Sequence, residues 1–453
     1  MTNNLQFYKK AKSLDEIVNV VRFEMPISPD HEFYTDFSDV RGDFEDRMVY
    51  QSLNVNPKNF VFNREANQSN KVLLFLAGMR GSGKTSELAK IASKLNNKDC
   101  FFCVTCNLDE GLDLNDMEYM DILIFQIERL FEELKERKIK IDDDIIEDLQ
   151  EWFSQRVEEV NKSIKRDGGF QIDIDAKTPS LFSFLNIAAK LKANLTGSKE
   201  NSEKIRTVFK NNFTDFSRKF NSFVEAVNIH LRKKSIAQEI LFIVDGLEKV
   251  STHSIRKRII IEENNRIRQI KVNTIFTLPI ELMSEKQVLN TFSTVVSFPF
   301  VKIKEKNGAI IEKAIARFEE FVYKRIDASL FDSGDIVKKA ILYAGGNPRE
   351  LLRILKYVYI NMRLDEDVDK ISLSDLEKGI KKLAAENSQF LTEGDLEKLK
   401  ILKDANDSNK PLPFGENWQR LLENNIVFEY NDGTYKRVYP VIEESELYKY
   451  YVG

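Results

Sequence analysis

The chain of 453 residues holds only 3 cysteines, 3 histidines and 2 tryptophans. Three cysteines cannot build a disulfide framework, which points to a reducing, cytoplasmic setting. No apolar run reaches the ~18 residues that a membrane helix needs. The opening Met1-Thr-Asn-Asn-Leu-Gln-Phe-Tyr-Lys-Lys lacks the hydrophobic core of a secretion signal. No charge of one sign dominates: 68 Lys+Arg stand against 72 Asp+Glu, a net charge of −4. That balance excludes a uniformly basic nucleic-acid coat. Low-complexity tracts and internal repeats are also missing. What is present is a 42% hydrophobic fraction in a mixed-charge background, enough for large buried cores. At ~150 residues per domain the length suggests about three domains.

The first 70 residues form a lead-in with short helical patterns at Ser13 to Val21 and Gly42 to Leu53. Between them lies the polar, aromatic stretch His31-Glu-Phe-Tyr-Thr-Asp-Phe, and Asn56-Pro57 breaks the second pattern. The continuous apolar run Val72 to Ala77 reads as a strand buried on both faces. A glycine-rich turn, an amphipathic helix over Ser86 to Leu95 and a second strand over Cys100 to Cys106 follow. This order predicts a parallel α/β sheet. From about 108 to 238 the spacing turns helical (Met120, Leu123, Ile127, Leu130, Leu134, then Ile145, Leu149 and Trp152) and predicts a helical insertion. A loop holding Asp167-Gly-Gly and Thr178-Pro-Ser interrupts it. Strands return at Ile240 to Val244 and Val272 to Leu278. The expected domains are a nucleotide-binding α/β domain over 71–300, a helical segment over 301–366 and a closing domain over 367–453. The closing domain carries a hairpin centred on Asn431-Asp-Gly.

Gly78-Met-Arg80-Gly81-Ser82-Gly83-Lys84-Thr85, followed by Ser86, matches the phosphate-binding loop in full and sits between the strand and the helix that this loop requires. Glycines let backbone N–H groups wrap an anion at a helix N-terminus. Lys84 would reach the β- and γ-phosphates, and the Thr85 hydroxyl would hold Mg²⁺. The strand Ile240-Leu-Phe-Ile-Val ends in Asp245, the second expected Mg²⁺ residue. The position after it is Gly246, not an acid. The next acid, Glu248 in Asp245-Gly-Leu-Glu-Lys249, is either the group that activates water or a solvated surface residue. The gap admits slow, switch-like hydrolysis. Thr277, before Leu278-Pro279, is either a polar sensor of the γ-phosphate or an ordinary strand threonine. Gly345-Gly-Asn-Pro-Arg349 starts a helix with Pro348 in its first turn, and Arg349 is either aimed at the nucleotide or a surface arginine.

These motifs, in this order, resemble the AAA+ superfamily of P-loop ATPases, in particular its STAND-like and ORC/Cdc6-like branch, over roughly residues 40 to 440. The resemblance implies a three-layer α/β core, a helical lid bearing Arg349 as a second sensor, and a C-terminal winged helix. It implies that Lys84, Thr85, Asp245, Thr277 and Arg349 bind or sense ATP and Mg²⁺. It also implies an arginine finger from a neighbouring subunit in a homo-oligomer; Arg256, Arg258, Arg266 and Arg268 lie on the helix where it would occur. Members of the branch switch between closed and assembled states, many in signalling or anti-phage defence with a separate effector protein. The aromatic residues read mostly as core by their spacing, and Phe33, Tyr34 and Phe37 do not read as a base-stacking platform, although they lie where relatives grip adenine against the lid.

Other signals weigh on partners. Cys100, Cys103 and Cys106 have a CxxCxxC spacing, but alternation on a strand turns Cys103 away from the other two. No fourth cysteine exists, and His31, His230 and His253 lie elsewhere, so buried core residues fit better than a metal site. Residues 371–453 contain 11 Lys+Arg and 15 Asp+Glu, a net of −4, where a DNA reader should be basic. Arg232-Lys-Lys234 and Arg256-Lys-Arg258 are either nucleic-acid contacts or solvated helix ends. The expectation is an ATP-binding, ATP-hydrolysing switch that acts with a protein partner and no membrane. A DNA-binding ATPase of the loader type is the alternative, and nucleic acid is not favoured.

Overall fold

The apolar runs that begin at Val72, Cys100, Ile240 and Val272 form strands of one sheet. The structure, a computed structural model, describes residues 9–42, 44–67, 71–166, 180–291, 294–362, 369–412, 418–430 and 435–453. The first eight residues, the Asp167-Gly-Gly loop, Thr178-Pro179 and the Asn431-Asp-Gly turn lie outside the described residues. The chain divides into two compact bodies. One comprises Met1–Asp46, Ala77–Lys90 and Ser297–Gly453; the other comprises Arg47–Leu76 and Ile91–Val296.

The second body is built on a five-stranded sheet in the order β2-β3-β4-β1-β5. Its strands are β1 (Leu73–Gly78), β2 (Phe101–Asn107), β3 (Glu239–Asp245), β4 (Asn273–Pro279) and β5 (Thr294–Ser297). β3 runs parallel to both β2 and β4, with Asn107 opposite Asp245 and Val244 opposite Phe276. Every residue of β3 and β4 is buried, as expected of parallel strands covered on both faces. Cys103 and Cys106 on β2, and Cys100 just before it, are all buried free thiols. Burial pushes the Cys100 thiol up to about 12, so these are inert core residues.

Between β2 and β3 the chain is helical, with long helices at Tyr119–Glu136, Asp143–Arg166, Leu181–Gly197, Lys199–Asn211 and Phe213–Lys233. Their shared core is aromatic. Phe131 lies 4.4 Å from Phe184 and 5.3 Å from Phe223 between ring centroids, and Trp152 packs edge-on against Phe209 at 5.3 Å. Ser180 and Ser198 cap their helices by accepting from the N–H groups of Ser183 and Asn201. Buried charge is paired here: Arg206 bonds Asp121 at 2.6 Å and Asp116 at 3.0 Å.

In the first body, helices Glu312–Tyr323, Gly334–Ala344, Pro348–Met362, Leu373–Ser388 and Glu393–Asp407 precede a hairpin of β6 (Val427–Tyr430) and β7 (Tyr435–Val438). The hairpin is antiparallel, with Val427 opposite Val438. Capping boxes at Ser372 with Asp375 and at Thr392 with Asp395 set two of the helix starts. Among the described residues no helix is long and apolar enough to cross a membrane.

Candidate nucleotide site

In the first body the loop between β1 and the helix Lys84–Leu95 is wound by Gly81 at φ +88° and Gly83 at φ +95°, conformations that favour glycine. Lys84 is buried, and its ammonium donates to the carbonyls of Gly78 at 2.8 Å and Met79 at 2.9 Å. Thr85 and Ser86 follow in the first helical turn. The Ser86 hydroxyl accepts from Ile27 N at 3.2 Å, tying the lead-in to the loop.

Arg41 braces this loop from the lead-in. It is 3% exposed, lies 3.9 Å above the Phe298 ring, and donates through Nη1 to Ser82 O at 3.0 Å and Pro299 O at 2.8 Å. Burial pulls its guanidinium down to about 10. Beside it, Lys90 gathers Asp46 at 2.6 Å, Glu87 at 3.1 Å and Asp36 at 3.2 Å. The sequence pattern missed Arg41, whose partners are 41 and 258 positions away.

Arg349 reaches the same loop. Gly345 and Gly346 turn the chain at φ +61° and +84°. Asn347 then accepts through Oδ1 from the N–H groups of Arg349 and Glu350, capping the helix whose first residue is Pro348. A Cβ placed on Gly81 would lie 3.1 Å from both Cβ and Cδ of Arg349, so the arginine stem lies against the loop. Burial, and then the charge of Arg80, push the Arg349 guanidinium below its ordinary value. Neither arginine makes an ion pair among the described residues. The hairpin supports this helix start: Tyr430 donates to Gly345 O at 2.5 Å and Tyr439 to Glu350 Oε2 at 2.9 Å.

In the second body, Asp245, Glu248 and Thr277 gather at the carboxyl ends of β3 and β4. Thr277 is fully buried, and its hydroxyl accepts from Gly246 N at 3.0 Å and Leu247 N at 3.3 Å. It therefore shapes the turn that follows Asp245. Gly246 sits at φ +109°, where a side chain is strained, and this accounts for the missing acid at that position. Glu248 is half-buried in the tight turn Leu247–Lys249. Lys249 donates to Asp109 at 2.8 Å; burial opposes its charge, but Asp109, Asp245 and Glu248 hold it above its ordinary value.

The four arginine-finger candidates divide by environment. Arg256 is buried and paired with Glu281 at 2.8 Å. Arg258 donates to Met117 O at 3.0 Å, and Arg266 pairs with Glu263 at 3.3 Å. Arg268 is exposed.

No family model matches the sequence, and no curated protein matches it. Solved structures do show likeness. A Walker-type ATPase of Pyrococcus abyssi aligns at TM-score 0.38 and 14% identity over 93% of this chain and 98% of that one. The RuvB Holliday junction branch migration motor of Thermotoga maritima aligns at 0.34 and 12% over 92% and 96%. Cdc6p of Pyrobaculum aerophilum aligns at 0.35 and 12% over 95% and 100%. With TM-scores below 0.5, these likenesses leave function to the geometry of the site.

Proposed function

We propose that the chain is an ATP-binding switch that hydrolyses ATP, assembles with copies of itself in a nucleotide-dependent way and acts through a separate protein partner. The observation that carries it is the first body's loop, where the Arg349 stem lies against Gly81, Lys84 bonds the carbonyls of Gly78 and Met79, and the charge of Arg80 acts on Arg349, with no ion-paired carboxylate on either arginine among the described residues. Such a cationic cradle at a helix start suits a polyphosphate. In this reading the backbone of Gly78, Arg80, Gly81, Ser82 and Gly83, together with Lys84, Thr85 and Ser86, holds the phosphates. Thr85 and Asp245 hold Mg²⁺, which neutralises phosphate charge when bound. Glu248 takes the proton from water, Thr277 fixes the turn that presents Glu248, and Arg349 answers the terminal phosphate.

The same reading divides the chain into a lead-in over 1–70, an ATPase domain over 71–300, a lid over 301–366 and a winged-helix domain over 367–453. The acidic balance of the last segment favours a protein over DNA as its contact. An anti-phage or signalling role follows from the AAA+/STAND resemblance.

Calorimetry and single-turnover hydrolysis test the reading together. Lys84→Ala should abolish binding of MgATP. Glu248→Gln should keep binding and slow turnover by ~10²-fold or more, trapping the assembled state. Normal binding by the first variant would overturn the site, and normal turnover by the second would remove Glu248 as base.

A further inference from the structure

In the second body, β1 and β4 begin just after Lys71 and Lys271, and part of the sheet beside them is bare. Leu73 opens β1 and is only partly covered, although β1 lies between β4 and β5. Phe75 of β1 stacks on Phe276 of β4 at 5.6 Å, so Leu73, Thr274 and Phe276 share one face. The helix that reaches this face through Ile267, Asn264–Gln269, is only 6 residues long. A hollow of about 460 Å³ is left at the amino ends of β1, β4 and β5, the size of a small-molecule site (~300–1,000 Å³).

Leu73, Phe276, Ile267 and Ile270 give the hollow an apolar floor and wall. Its charged lining is Lys71, Arg268 and Lys271, with no carboxylate among the described residues; Ser52, Thr274 and Thr294 add neutral hydroxyls. Two buried carboxylates that touch lining residues are already engaged. Glu239 accepts from Lys71 at 2.6 Å and from Asn273 at 2.8 Å. Glu263 accepts from Tyr119 N at 2.9 Å and pairs with Arg266 at 3.3 Å. Arg268 and Lys271 are exposed. Tyr119 also lines the hollow; it is 2% exposed, and its hydroxyl has no hydrogen-bond partner among the described residues. Burial, reinforced by Glu263, holds that phenol protonated, so it is a donor.

Ligands of open α/β sheets sit at the carboxyl ends of the strands, where this chain places Asp245 and Thr277. The hollow lies at the opposite ends and is independent of the nucleotide reading above. Cations around one concavity favour an anion, and a buried donor without an acceptor costs free energy that a ligand's acceptor recovers. A bare inorganic ion would leave the apolar face wet, so the ligand also brings apolar surface. We propose that this hollow binds a small organic anion, in which a phosphate, sulfonate or carboxylate group is carried on a flat apolar body. The anionic group meets Arg268 and Lys271, an acceptor takes the Tyr119 O–H, and the body lies on Leu73 and Phe276.

The test uses two fluorescent probes on the full chain, anilinonaphthalene sulfonate and its uncharged parent phenylnaphthylamine, alongside thermal unfolding. Arg268→Gln combined with Lys271→Gln keeps the apolar stems and removes the charges. It should bind the sulfonate about tenfold more weakly or worse, the effect of losing a charged hydrogen bond. Affinity for the uncharged probe and the unfolding temperature should hold. Tyr119→Phe, which keeps the ring, should weaken the sulfonate about threefold. Unchanged sulfonate affinity in the double variant would overturn the proposal. So would an equal loss of both probes, which would leave an apolar patch with no preference for anions. An unmodified chain that brightens neither probe would overturn it as well.

Discussion

In the helical insertion, Arg206 is 5% exposed and lies between carboxylates, at 2.6 Å from Asp121 and 3.0 Å from Asp116. Lys192 likewise meets Glu128 at 2.6 Å. Around the phosphate loop, Arg41 and Arg325 are 3% and 2% exposed, yet among the described residues their side-chain hydrogen bonds go to carbonyls, at 2.8 Å to Pro299 O and 2.8 Å to Phe321 O, and their faces rest on rings. The carboxylates of that region, Asp36, Asp46 and Glu87, all turn to Lys90. A buried cation closed by carboxylates has its charge consumed in holding the fold. One bonded only to neutral carbonyls keeps a net field, which is what an anion-binding site needs.

The largest effect separating the two regions should come from Arg206→Ala. It leaves Asp121 buried without its partner, and stability should drop by about 3–5 kcal/mol in urea unfolding, with ATP affinity of the folded fraction unchanged. Arg349→Ala should do the reverse, weakening MgATP binding by about tenfold in calorimetry while the unfolding midpoint stays. A stability loss in Arg349→Ala matching that of Arg206→Ala would erase the distinction.

The smallest effect is a pH slope. Burial, reinforced by Asp46, lifts the Glu87 carboxyl from 4.5 to about 7, against the pull of Lys90 and Arg41. The folded state therefore favours the protonated form, and stability declines as pH rises from the unfolded value through the folded one. Glu87→Gln should flatten that decline between about pH 4.5 and about pH 7, read as unfolding temperatures that differ most from those of the unmodified chain near neutral pH. Identical slopes would show that burial does not govern Glu87.

Features coded by neighbouring residues were legible in the sequence. The runs at Val72, Ile240 and Val272 became β1, β3 and β4 because continuous apolar stretches admit burial on both faces. Gly345 to Arg349 packs a turn, a cap and a first-turn proline into consecutive positions, so the placement of Arg349 could be read locally. β5 was not read, since Thr294–Ser297 is four residues long and offers no period. Arg41 left no local sign, because its partners come together only once the chain is folded. Arg325 left one: it stands four residues after Phe321 and three after Val322 on a stripe otherwise apolar, where a charge is out of place. Thr277, read from the sequence either as a sensor of the γ-phosphate or as an ordinary strand threonine, accepts through its hydroxyl from the turn after Asp245, a role that no local pattern announces.

That turn also constrains how the protein can change over generations. An acid placed directly after Asp245 would replace Gly246 at φ +109°, a conformation closed to side chains at ordinary cost, and would disturb the N–H groups held by Thr277. Under the proposed ATPase reading, one codon change would supply that acid, at a backbone cost of about 1–3 kcal/mol. Relieving that strain would mean rebuilding the turn whose N–H groups Thr277 holds. The turn thus sets an acid beside Asp245 against the local stability of the backbone.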